Sequence, residues 1–96
     1  MGTLLPPPQY DHPPTIPVIE QVMQWNELQK SPCRAWFDRA GFSNASGQGG
    51  GGCAFIKDGK CYVYRLDMPD MARHEYAHCN GWPSDHPGGY YERILR

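Results

Sequence analysis

Apolar residues recur at helical spacing near the start of the chain. Val18, Val22, Trp25 and Leu28 stand three or four positions apart, with Pro17 suited to a first turn and Lys30 to a last. This pattern predicts an amphipathic helix over residues 17–30, broken by Ser31-Pro32. Residues 33–40 then read as a short second helix or turn, with Trp36 and Phe37 as core anchors. After that the period changes. Cys53–Lys57 and Lys60–Leu66 are β-rich runs flanking Asp58-Gly59, a pair that favours a tight type I′ hairpin. A two-residue turn sets Ile56 opposite Cys61 and Cys53 opposite Tyr64, which disfavours a direct bridge between Cys53 and Cys61. A helix start follows at Met68-Pro69-Asp70, where Pro69 suits a first turn and Asp67 or Asp70 can cap the free amides. Gly81 suits a left-handed helix end, and Pro83 prevents continuation. An N-terminal helix, a β-hairpin and a further helix make a small α+β domain over residues 17–96.

Two segments lie outside that pattern. Residues 1–16, with Pro6-Pro7-Pro8 and Pro13-Pro14, predict an extended, polyproline-like arm with little packing. A spacer is the simpler reading of it, and docking to the aromatic groove of a protein partner is the other. Residues 43–52 read Ser-Asn-Ala-Ser-Gly-Gln-Gly-Gly-Gly-Gly. No Lys-Ser/Thr follows the glycines, so this is a linker or a mobile loop and not a phosphate cradle.

Ninety-six residues allow one domain with a modest core, and a hydrophobic content of 40% with three tryptophans argues for a folded chain. A net charge of −1 gives no electrostatic case for nucleic acid or an anionic membrane. No apolar run approaches a membrane span, and the N-terminus lacks the basic and hydrophobic regions of a signal peptide. Cys33, Cys53, Cys61 and Cys79 fit two disulfides or buried free thiols, and their spacing contains no C-x-x-C knuckle. The chain reads either as cytosolic or as a mature chain whose signal was removed, and the even cysteine count in a small domain leans the reading towards the secreted or periplasmic alternative.

The candidate chemistry lies in the last predicted helix. His74-Glu75-Tyr76-Ala77-His78 is an H-E-x-x-H motif. Residues four apart share a helix face, so His74 and His78 can offer both imidazoles to one zinc ion, with Glu75 beside it as general base. Past the turn at Gly81 the chain can bend back to bring His86 or Asp85 to the metal as third ligand. Imidazole suits zinc and completes a three-histidine site with an open fourth position, so His86 is favoured and Asp85 becomes an orienting acceptor. Glu92 is a further carboxylate candidate. Tyr90, Tyr91 and Arg93, after Pro87-Gly88-Gly89, are candidate donors to a developing oxyanion, or simply packing for a C-terminal tail. Trp82 is expected to pack beneath the turn and fix the third ligand. Tyr76 and Ala77 should face the core, Cys79 should lie off the ligand face, and His12 should be solvated.

His74-Glu75-x-x-His78-x-x-Gly81 resembles the active helix of the zincin metallopeptidases, and the glycine followed by a downstream ligand is similar to the metzincin branch. The likeness covers about thirteen residues. It implies hydrolysis of peptide or protein substrates by a single Zn2+, with His74 and His78 as ligands and Glu75 as base. The metzincin spacing would place the third ligand at Ser84, one and two positions before Asp85 and His86, and no methionine follows His86 to form a methionine turn. Two other readings remain: an interaction module that keeps a structural or relic zinc site, and a zinc hydrolase of non-peptide amides.

Overall fold

A computed structural model of the chain describes residues 3–35 and 51–91. Three strands form one sheet in the order β1-β3-β2, with β1 (Val18–Met23), β2 (Gly52–Lys57) and β3 (Lys60–Leu66). Two α-helices are complete among the described residues, α1 (Trp25–Leu28) and α2 (Met71–Cys79), and a further helical turn begins at Cys33. The class is α+β, as the sequence implies.

The hairpin forms in the expected register, with Ile56 opposite Cys61 and Cys53 opposite Tyr64. Its turn residues both take positive φ, 53° at Asp58 and 75° at Gly59, as a type I′ turn demands. The helix expected over residues 17–30 is not there. Its first half is strand β1, parallel to β3, and only Trp25–Leu28 is helical. A four-residue spacing is compatible with both periods, because Val18 and Val22 share a face in a strand as they do in a helix. The β-branched Val18, Ile19 and Val22 favour the pleated surface. Glu20 lies between them and turns inward, where Arg65 of β3 and the Tyr76 hydroxyl of α2, at 2.5 Å, both donate to it.

Strand alternation gives the sheet two covered faces. On one, Cys61 and Val63 pack with Cys79 of α2 and with Ile16, Val18, Ala54 and Tyr76. On the other, Cys53 packs with Leu28 and Cys33, flanked by Met23, Tyr64 and Leu66. Trp36 and Phe37, expected as anchors, lie outside the described residues, as do residues 43–50 of the glycine segment. Each face has its own disulfide. Cys61–Cys79 ties β3 to the end of α2, and Cys33–Cys53 ties the helical turn after α1 to β2. Both pairs fit an oxidising compartment. No helix among the described residues is long and apolar enough to cross a membrane.

The proline-rich start, expected to be a loosely packed arm, lies across α2 as a strap. Leu5 is 1% exposed, Pro6 is buried, and Leu5 and Tyr90 exchange backbone hydrogen bonds of 2.7 and 3.0 Å. Further along, Asp11 accepts two short bonds from Arg73, at 2.9 and 2.7 Å. The Asn80 amide donates to the carbonyls of Tyr10 and His12, at 3.0 and 2.6 Å. Prolines fix φ and carry no N–H, which suits a segment whose carbonyls are read by side chains of a neighbouring helix. The apolar pair Leu4-Leu5 supplies the anchor that composition alone concealed.

Each disulfide closes a loop of about twenty residues, and loop-entropy arguments assign such a closure about 3 kcal/mol. The Cys61→Ala/Cys79→Ala variant should therefore unfold at lower urea concentration, with a stability loss of about 2–5 kcal/mol from equilibrium denaturation. An unchanged midpoint would show that α2 is held on the sheet without its covalent tie.

Candidate metal centre

Helix α2 delivers the first two candidate ligands. It begins at Asp70, whose φ of 62° turns the chain sharply out of the segment after β3. Of the two candidate caps Asp70 takes the cap position, but its carboxylate makes no capping bond and lies 3.8 Å from Arg73. The helix ends as expected at Gly81, with φ 101°. The amides of Gly81 and Trp82 donate to the carbonyls of His78 and Ala77, at 3.1 and 3.0 Å, which is the Schellman arrangement. A further turn, His86 N–H to the Pro83 carbonyl at 2.9 Å with His86 at φ 60°, folds the chain back over the helix end.

This path brings His86, and not Asp85, to the two helical histidines. The ligand nitrogens of His74, His78 and His86 lie within 4.8 Å of one another and could hold a metal ion. Nε2 of His78 is 3.3 Å from Nε2 of His74 and 3.2 Å from Nε2 of His86. The opposite ring nitrogens are engaged: His74 Nδ1 meets the Leu4 carbonyl at 2.6 Å, and His78 Nδ1 meets the Trp82 carbonyl at 2.8 Å. A carbonyl oxygen only accepts, so both Nδ1 atoms carry the proton, and in the neutral rings Nε2 presents a lone pair. Trp82, 2% exposed, underlies all three imidazoles. Its ring stacks on His78 (5.0 Å, 19°) and meets His74 and His86 edge-on at 5.2 and 4.9 Å. Its indole N–H donates to the Pro87 carbonyl at 2.8 Å, which ties the ring to the segment carrying His86.

Glu75 is 2% exposed. Its Oε2 lies 4.0 Å from His74 Nε2, and Oε1 has no hydrogen-bond partner among the described residues. The carboxylate rests on β2 at Gly52, where an added Cβ would come within 3.0 Å of Oε2 and 2.7 Å of the Tyr64 carbonyl. Burial pushes its pKa up to about 8, against a smaller opposing pull from the Arg65 charge. Burial likewise lowers the three histidines: His78 to about 4, with His74 and His86 shifted the same way. The Leu4 carbonyl opposes the shift at His74, and the Asp85 charge opposes it at His86. Neutral imidazoles are the form that binds metal.

The other candidates are placed differently. Asp85 is exposed and acts on His86 only through its charge. Tyr90 and Tyr91 are 42% and 55% exposed. Tyr90 is held by its backbone bridge to Leu5, and the described contacts give neither phenol a place beside the imidazoles. Glu92 and Arg93 lie outside the described residues. Cys79 is in a disulfide, Ala77 is buried, Tyr76 packs on the core while its hydroxyl serves Glu20, and His12 is exposed. Sequence reasoning did not find the Leu4 and Trp82 carbonyls or Gly52. Backbone acceptors carry no residue signature, although Leu4 sits in an apolar pair before a proline run.

No family model matches the chain, and neither a curated protein nor a solved structure matches it. The site therefore rests on its own geometry.

Stability against pH follows from the shifts, with opposite signs for acid and bases. Histidines lowered below 6.5 bind fewer protons folded than unfolded, so the metal-free protein loses stability as pH falls from about 6.5 towards 4. Glu75, raised to about 8, binds more protons folded than unfolded, so its contribution is lost as pH rises from about 4.5 to 8. His74 and Arg65 are the charged or titrating neighbours of Glu75. Chelator-treated protein should thus be most stable near pH 6.5 and lose about 2 kcal/mol by pH 8. Glu75→Gln should flatten the alkaline limb in denaturation measured at each pH.

Proposed function

We propose that this protein is a zinc-dependent metallopeptidase in which His74, His78 and His86 hold the ion and Glu75 is the general base. One observation carries the reading: the Nε2 lone pairs of His74 and His78 face one another at 3.3 Å, with Nε2 of His86 3.2 Å from that of His78, while the far side of both helical rings is tied to carbonyls. Facing lone pairs repel unless a cation lies among them. Ligands at the usual zinc–imidazole distance of about 2.0–2.1 Å sit about 3.3–3.4 Å apart at the corners of a tetrahedron, which agrees with both separations. Three histidines leave a fourth position for water, the pattern of catalytic rather than structural sites.

Bound zinc supplies Lewis-acid polarisation and a water acidified to a pKa of about 7. The charge of a nearby ion would bring Glu75 back to its ionised form, and beside His74, without a competing partner on Oε1, it would then take a proton and pass it to the leaving amine. Leu4 and Trp82 hold two ligand rings in one tautomer, and Trp82 keeps water from their lower side. A peptide substrate is favoured because α2 packs against β2, the edge of the sheet among the described residues, which can take an extended chain by backbone hydrogen bonds. The two disulfides support a secreted or periplasmic setting.

The near-complete burial of Glu75 favours a second reading, a structural zinc site in an interaction module. Metal content and turnover separate the two. Wild type should carry one zinc per chain, and His78→Ala should lose it. Glu75→Gln should keep the zinc yet cut hydrolysis of a quenched peptide library by about 100-fold or more. Zinc-loaded wild type that cleaves nothing would leave the structural reading standing.

A further inference from the structure

We propose that the N-terminal strap is a working part of the metal centre: docking of Leu4-Leu5 across α2 sets the tautomer of His74 and through it the affinity for the ion. The proposal rests on the metal-centre reading above and adds a positioning element seventy residues away in sequence.

Helix and turn supply everything needed to orient His78, whose Nδ1 is taken by Trp82 four residues later. His74 has no such local acceptor. Its Nδ1 proton goes to the Leu4 carbonyl at 2.6 Å, across a sequence separation of 70. That carbonyl stays in place only while the strap is docked. Several anchors hold it, none of which touches the imidazoles. The Thr3 hydroxyl donates to the Pro69 carbonyl at 2.7 Å, just before α2. Leu5 is buried and bonded to Tyr90 on both sides of its peptide. Pro7 packs on Gly88, Asp11 holds Arg73, and Asn80 reads two strap carbonyls at the far end of α2. The strap therefore spans the whole length of the ligand-bearing helix and reaches both of its ends.

Without the Leu4 acceptor, a neutral imidazole divides its proton between Nδ1 and Nε2. Every ring with the proton on Nε2 is unable to bind metal through that atom. Loss of such an orienting acceptor typically lowers metal affinity 10–100-fold. Trp82 and the helix leave His78 unaffected, which makes it an internal control.

The test uses the full chain, wild type and Leu5→Ala, with two readouts. In metal-free protein, imidazole 15N NMR should show His74 as a single Nδ1–H tautomer in wild type and a mixture in the variant, with His78 unchanged in both. Competition with a chromophoric chelator should give a zinc dissociation constant about 10–100-fold higher for Leu5→Ala. A His74 tautomer unmoved by the substitution, or equal zinc affinity in the two proteins, overturns the proposal. Should Leu5→Ala fail to fold, Asp11→Asn loosens the other end of the strap at a half-exposed contact; a several-fold weaker zinc affinity is then expected, and no change overturns it. Wild type that takes up no zinc would instead sink the metal-centre reading. The tautomer measurement is made without metal, so the two failures remain distinct.

Discussion

Two backbone carbonyls, those of Leu4 and Trp82, carry the arrangement of this small protein. By accepting the Nδ1 protons of His74 and His78 they force both Nε2 lone pairs into the space that His86 also enters. Other features follow from that constraint. The helix must end where it does, because the Schellman turn at Gly81 both aims the Trp82 carbonyl back at His78 and starts the return to His86. The strap must lie along the helix, because only there can the Leu4 carbonyl reach His74.

A chain of this size buries a small core, so a rigid site needs support beyond apolar packing. The disulfides provide it, one on each face of the sheet. Cys61–Cys79 is the pair that matters to the site: Cys79 follows His78 directly, so the ligand face of α2 is fixed against β3 by a covalent bond one residue away. The polar cluster of Glu20, Arg65 and Tyr76 does the same work across β1, β3 and α2, with its charges paired. Local sequence could specify neither, since both join residues far apart along the chain.

How much of this was legible depended on whether local rules were enough. The hairpin register was, because Asp58-Gly59 admits few turns and alternation then sets the pairing, although β2 begins at Gly52, a residue read as part of the glycine loop. The H-E-x-x-H helix, its glycine end and the return of the chain to the helix at His86 were legible too, since each rests on periodicity or a left-handed φ. Strand β1 was misread as helix because a four-residue apolar spacing satisfies both periods, and its pairing with β3 spans more than forty residues. The strap was misread because proline content speaks of extension and not of docking. The cysteine pairing stayed open, as spacing alone leaves it, although the hairpin register had already made Cys53–Cys61 unfavourable.

Glu75 remains the most demanding residue in the fold. A carboxylate with 2% exposure is costly unless paired, and Arg65, whose charge reaches it, is committed elsewhere, donating to Glu20 and to the Leu66 carbonyl. Gly52 gives up its side chain so that the carboxylate fits against β2 at all. A few ångströms away, His74 and His78 turn their Nε2 lone pairs on one another, with His86 Nε2 beside them. A buried acid without a cation and converging bases without one are the same deficit seen from two sides, and one divalent ion among the imidazoles would relieve both. That shared deficit is a stronger argument for the metal reading than the five-residue motif, because it involves residues from the strap, the sheet and the returning turn that no motif contains.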